Sequence, residues 1–244
     1  MRREIHKWWS PNLYKDMEIA VYGHWGFAVL MFPTAGADFL EYERFQMIDS
    51  LAGLIDGGKC KIYSINSINN ESWLNEHVPP RDRGIRHQQY NEYIVQEVLP
   101  FIHNDCQGSV PVVTSGASLG ALHAANTFFR RPDLFAGVIA MSGVYNLEAY
   151  SGGYFDDNVY FNSPVHYLPN WEDEFMLNQM RSKGEHIIIA TGQGEYEDPG
   201  ASIHLSDILH RKGIPHSLEL WGHDMPHDWH TWRQMLPYFL GNRF

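Results

Sequence analysis

The sequence predicts an α/β fold, with a mostly parallel central sheet and helices on both faces. Three observations predict it. Apolar runs of strand length alternate with stretches of helical period along the chain. Several runs, such as Gly26–Phe32 and Phe135–Met141, are apolar throughout, as expected of strands buried on both faces. Finally, Val110-Pro-Val-Val-Thr-Ser-Gly-Ala-Ser-Leu-Gly120 reads as a strand, a tight glycine-bounded turn and the start of a helix that runs to Arg130.

Met17–Tyr22 alternates apolar and polar residues and fits an antiparallel edge strand. The turn Gly23-His-Trp-Gly26 leads into the buried strand Gly26–Phe32, which ends in an irregular loop, Pro33-Thr-Ala-Gly36. From Phe39 to Leu54 apolar residues recur at helical spacing until Gly57-Gly58 stops the helix. Lys59–Ile65 is the next strand. Asn66–Gly84 reads as a loop with Pro79-Pro80 as its breaker, and Arg86–His103 as a helix. After the strand Phe135–Met141 comes an aromatic-rich, irregular segment, about 145–184, helical in its second half. It predicts a cap-like insertion in a chain that otherwise forms one domain over 1–244. His186–Thr191 is a short apolar strand, Gly192–Gly200 an acidic loop, Ser202–Arg211 a helix, and His216–Trp221 the last strand. The loop Gly222–Asp228 opens into a terminal helix through Leu240.

The formal charge of −11 is dispersed rather than blocked, which argues against nucleic acid or an anionic membrane as partners. Cys60 and Cys106 are the only cysteines, so no disulfide framework is implied and a reducing compartment is expected. The first ten residues lack the apolar core of a secretion signal, and no apolar run reaches the length of a membrane span. A cytoplasmic protein is expected, and a homo-oligomer is compatible with the sequence.

Gly116-Ala-Ser118-Leu-Gly120 fits G-x-S-x-G, the pattern of a nucleophile elbow. A serine on so sharp a strand-to-helix bend sits in strained backbone, and side chains two residues to either side would collide. Activation of its hydroxyl needs an imidazole, and the imidazole needs an orienting acid. With the serine first in the chain, both should follow on loops at the carboxyl ends of later strands. The histidines available are His223, His227 and His230. His227, immediately before the final helix, is preferred; His223 is its rival, and His230 should lie inside the helix. Glu195 and Asp198 are equal candidates for the acid, with Glu197 behind them, and Asp198 could instead cap a helix. Two donors to an oxyanion are also needed: the backbone N–H groups of Leu119 and of Ala35 in the Pro33–Gly36 loop. Tyr145, just past a strand end, is expected to line the substrate pocket.

His227-Asp-Trp-His-Thr-Trp-Arg-Gln-Met-Leu-Pro-Tyr-Phe-Leu240 resembles the closing signature of the putative-esterase branch of the α/β-hydrolases, which includes feruloyl esterases, S-formylglutathione hydrolases and mycolyltransferases. Phe32-Pro-Thr-Ala-Gly36 and Gly143-Val-Tyr are similar to a bacterial esterase-like subgroup of that branch. The resemblance spans about residue 15 to the end. It implies the α/β-hydrolase fold, Ser118 as nucleophile, His227 as base, and oxyanion donors at Leu119 and Ala35. The expected activity is hydrolysis of a small-molecule carboxylic ester through an acyl-enzyme, with no cofactor. An acyltransferase with the same residues, or a hydrolase-shaped binding protein without catalysis, are the alternatives. A metal site is not expected, because His223 and His227 straddle Pro226 and cannot share one helix face. Asp156-Asp157-Asn158 reads as a solvated loop.

Overall fold

In the strand β3 (Phe27–Phe32) side chains alternate between two cores although the run is apolar throughout. Ala28, Leu30 and Phe32 enter one core, and Val29 and Met31 the other. The computed structural model describes residues 1–244. Around β3 lie β1 (Arg3–Ser10), β2 (Lys15–Tyr22), β4 (Cys60–Ile65), β5 (Val112–Ala117), β6 (Gly137–Met141), β7 (Ile187–Thr191) and β8 (Ser217–Leu220). The sheet order is β1-β2-β4-β3-β5-β6-β7-β8. β2 pairs antiparallel with β1 and β4, and every other pairing is parallel.

The register brings five strand ends to one rim. Phe32 pairs with Gly116, Ala117 with Met141, Met141 with Ala190, and Thr191 with Leu220. Loops leaving β3, β5, β6, β7 and β8 therefore meet along the same edge, where open α/β sheets hold their ligands. One face of the sheet is covered by the helices Pro80–Tyr93, Leu119–Arg130 and Pro199–Arg211, whose Tyr90, Phe128 and Leu205 are fully buried. The other is covered by Trp229–Asn242, through Trp232, Met235 and Phe239, and by short helices between 41 and 56.

Four elements depart from the sequence expectation. β2, expected at the sheet edge, lies between β1 and β4, and β1 is the edge strand. β1 has no apolar alternation to announce it: Ile5 and Trp9 face solvent at 46% and 60% exposure. It is held instead by β2 and by Glu97, which accepts from Trp8 Nε1 at 2.8 Å, Ser10 Oγ at 2.7 Å and Asn12 Nδ2 at 2.7 Å. The helix expected over 39–54 is broken into three, with Gln46 left-handed at φ 62°. The next helix begins at Pro80 rather than Arg86, because a proline costs nothing at the first helical position. In the segment 145–184 the helix Glu174–Ser182 forms as expected, preceded by the short helices Asp157–Phe161 and Pro164–Tyr167. Leu147 and Val159 pack on Trp73, Leu119 and Leu122, beside the start of the helix that follows β5. No helix is long and apolar enough to cross a membrane.

Candidate active site

Ser118 joins β5 to the helix Leu119–Arg130 with φ 55° and ψ −125°, a conformation that costs a non-glycine residue about 1–3 kcal/mol. The flanking glycines make the bend sterically feasible. A Cβ on Gly116 would lie 2.3 Å from the Gly120 carbonyl oxygen, and one on Gly120 would lie 2.4 Å from the Phe32 oxygen. The same contact presses the start of the helix against the end of β3. Leu119, the first helical residue, has an N–H that the helix cannot satisfy.

The loop after β3 is held by a buried acid. Glu41 accepts the Thr34 N–H at 2.8 Å and the Thr34 hydroxyl at 2.5 Å. Burial pushes the Glu41 carboxyl above its ordinary pKa despite those bonds. Thr34 thus spends its amide on Glu41, and the next amide along the loop is that of Ala35, an exposed residue.

On the far side of the rim, His227 Nδ1 lies 3.1 Å from Glu197 Oε2. Glu197 also accepts from Ser142 Oγ at 2.5 Å, Thr191 Oγ1 at 3.1 Å and the Gly192 N–H at 3.2 Å. Its side chain is 1% exposed. Burial pushes this carboxyl up, but the hydrogen bonds from His227 and Ser142, the His227 charge and the Gly192 amide outweigh it, so its pKa is lowered. Ser142 follows β6 as Ser118 follows β5, and the Ser118 N–H donates to the Met141 carbonyl at 3.0 Å. The Ser118 backbone, the Glu197 carboxylate and the His227 imidazole are therefore held at four adjacent strand ends, those of β5, β6, β7 and β8.

The acid beside the imidazole is Glu197, not Glu195 or Asp198. Glu195 gives its backbone carbonyl to the His227 N–H at 2.9 Å, which turns its side chain out to solvent. Tyr196 follows in left-handed backbone, φ 63°, and sends Glu197 inward. Asp198 caps the helix Pro199–Arg211 by accepting the Gly200 N–H at 3.0 Å. Gly192 and Gly194 let this loop press on the histidine loop, since a Cβ on either would lie within 2.7 Å of Met225 backbone. His223 is exposed, with only a 3.3 Å contact to the Gln193 carbonyl, and His230 is exposed beside Gln234.

Tyr145 does not line a pocket at the rim. It is 1% exposed and folded back on Gly143, among the core residues around Tyr167 and Leu205. Position next to a strand end says where its backbone lies, not which way its ring turns. Sequence reasoning also missed Glu41, Ser142, Thr191 and Trp232. Trp232 donates from Nε1 to Ser142 Oγ at 2.9 Å and sets its ring edge-on to His227, centroids 5.2 Å apart. The one available signal was the Trp-Arg pair in the C-terminal signature, of which Trp232 is a member.

The arrangement suits proton transfer: an imidazole oriented through Nδ1 by a carboxylate can take a proton at its other nitrogen. A family model described as "Putative esterase" matches residues 64–241. No curated protein matches the chain in sequence. Among solved structures, a ferulic acid esterase superposes with a TM-score of 0.74 at 19% identity, covering 100% of this chain and 99% of its own. S-formylglutathione hydrolase from Staphylococcus aureus gives 0.68 at 15% identity over 98% and 95%. A ferulic acid esterase from the anaerobic fungus Anaeromyces mucronatus gives 0.73 at 13% identity over 99% and 90%. At these identities the likeness is one of fold.

Proposed function

The chain belongs to the Putative esterase family, with the α/β-hydrolase fold, and from that premise we propose that it is a serine carboxylesterase working through an acyl-enzyme on Ser118. His227 takes the Ser118 proton at Nε2 as Oγ attacks the ester carbonyl carbon. Glu197 holds the imidazole by Nδ1 and stabilises the imidazolium that forms. The N–H groups of Leu119 and Ala35 receive the developing oxyanion. The imidazolium then protonates the departing alkoxide, and water, deprotonated by the same ring, releases the carboxylic acid.

The observation that carries this reading is the 3.1 Å contact between His227 and a buried carboxylate on the rim where Ser118 stands in strained backbone. A fluorophosphonate probe tests it together with turnover of p-nitrophenyl acetate. The probe should label Ser118, and Ser118→Ala should fold normally and lose activity by about a thousandfold or more. Labelling elsewhere, or an active Ser118→Ala enzyme, would reject the assignment. Product analysis with an added alcohol separates hydrolysis from acyl transfer, since only the latter yields a new ester in preference to the acid.

A further inference from the structure

A cavity of about 310 Å³ opens between the helix Pro80–Tyr93 and the carboxyl end of the helix Leu119–Arg130. At the α-helical rise, Arg130 lies about 16 Å beyond Leu119, so the cavity is separate from the rim that carries Ser118.

Arg130 is a charge on its wall that makes no ion pair within the chain. Nη1 donates to two neutral amides, Gln88 Oε1 at 2.9 Å and Asn162 Oδ1 at 3.3 Å. Its neighbour Arg131 is instead gripped by both oxygens of Asp133, at 2.8 and 2.7 Å. The acid on the same wall, Glu92, makes its hydrogen bonds to the side-chain amides of Gln88 and Gln96 at 2.8 and 2.6 Å and acts on Arg130 only through space. Nor is Arg130 needed to satisfy Asn162, whose Oδ1 already accepts from Asn91 and Asn126 at 2.7 and 2.8 Å. Burial holds the Arg130 pKa below its ordinary value, the mark of a cation drawn partly out of water.

The bonds at Nη1 orient the guanidinium and leave its Nε–Nη2 edge unused. That edge is the planar fork that pairs with a carboxylate through two parallel hydrogen bonds. Val95, Phe161 and Trp171 give the cavity an apolar side suited to a flat ring. We propose that this cavity is a second binding site, taking a small aromatic monocarboxylate with its carboxylate on the free edge of Arg130 and its ring against Trp171 and Phe161.

The test is a titration of the full chain with sodium benzoate, followed by calorimetry and by backbone amide shifts, with benzyl alcohol and inorganic phosphate as comparisons. Benzoate should saturate and move amides near Asn91 and Arg130, not those near Ser118. Benzyl alcohol and phosphate should bind at least about tenfold more weakly, and Arg130→Gln should weaken benzoate by a similar factor, while ester turnover is unchanged. Should Arg130→Gln not fold, Val95→Trp, which fills the cavity from a half-buried position, must abolish the same shifts. Absence of saturation, shifts confined to the Ser118 rim, binding indifferent to both substitutions, or phosphate or benzyl alcohol binding as well as benzoate would each overturn the proposal.

Discussion

Ser142 donates its hydroxyl to Glu197 Oε1 at 2.5 Å, tying the end of β6 to the acid of the neighbouring loop. Ser142 is itself in left-handed backbone, φ 49°, and accepts from Trp232 Nε1 at 2.9 Å. With the indole filling its acceptor side, its proton is committed to the carboxylate. A residue 55 positions from Glu197 thus helps keep that acid ionised and in place.

Ser142→Ala should therefore raise the Glu197 pKa and loosen its hold on His227. The expected result is about a tenfold fall in kcat with little change in KM, and an acid limb of the pH–rate profile that moves to higher pH. A variant with the kcat and pH profile of the parent would show that this hydroxyl does nothing for the site.

The three carboxylates of the loop after β7 should separate cleanly. Glu197→Gln should lower kcat by about a hundredfold to ten-thousandfold. Glu195→Gln, an exposed change, should stay within about twofold. Asp198→Ala should retain kcat but lose about 1 kcal/mol of stability with its helix cap, seen in urea unfolding. A large kinetic loss at Glu195 or Asp198 would contradict the geometry.

Gly120→Ala should be among the most damaging methyl additions in the chain. Its Cβ would meet the Phe32 and Pro33 carbonyl oxygens at 2.4 and 2.7 Å, and neither is a flexible side-chain end. A loss of about 3 kcal/mol or more is expected, with a lower thermal midpoint. Gly241→Ala, also helical but with nothing within 4 Å, should instead gain up to about 1 kcal/mol. Equal midpoints for the two variants would remove the steric argument.

His87 and His123 make folding sensitive to mild acid. Both are completely buried, with ring centroids 4.7 Å apart. His87 Nδ1 accepts from Trp73 Nε1 at 2.9 Å, and His123 Nε2 meets Asn69 Oδ1 at 2.8 Å. Burial holds both pKa values down, for His123 to about 3, with the neighbouring His123 and Arg130 charges adding to the effect on His87. The unfolded rings titrate near 6.5, so the unfolded chain binds protons first as pH falls. Stability declines as pH falls through about 6.5 toward the folded-state values, by about 3 kcal/mol for the pair between pH 6.5 and 5. Urea unfolding of His123→Gln should show about half the parental slope in that window. Parallel curves would mean the histidines do not set it.

The features legible in the sequence are those set by local sterics. The spacing of Gly116, Ser118 and Gly120 follows from one bend, and the apolar runs follow from burial on both faces of the sheet. Glu197 was legible only as a candidate behind Glu195 and Asp198, because its inward turn depends on Met225 and His227, about 30 residues later, pressing on the loop. The support from Ser142 and Trp232 is equally non-local, whereas Thr191 reaches Glu197 within its own loop, six residues away. Tyr145 was misread because a ring beside a strand end can turn into the core as readily as toward solvent. β1 escaped notice because pairing, one half-buried acceptor and the single ring of Trp8 hold it, not an alternating apolar face.

Trimming the chain to start at residue 13 would strip Glu97 of Trp8, Ser10 and Asn12 at once and bare the outer edge of β2. Every group on the rim would survive in that fragment. It would nonetheless bare the rings of Tyr93 and Phe101 that Trp8 covers and leave an open, aggregation-prone border. A strand remote from the rim thus keeps the border of the sheet closed.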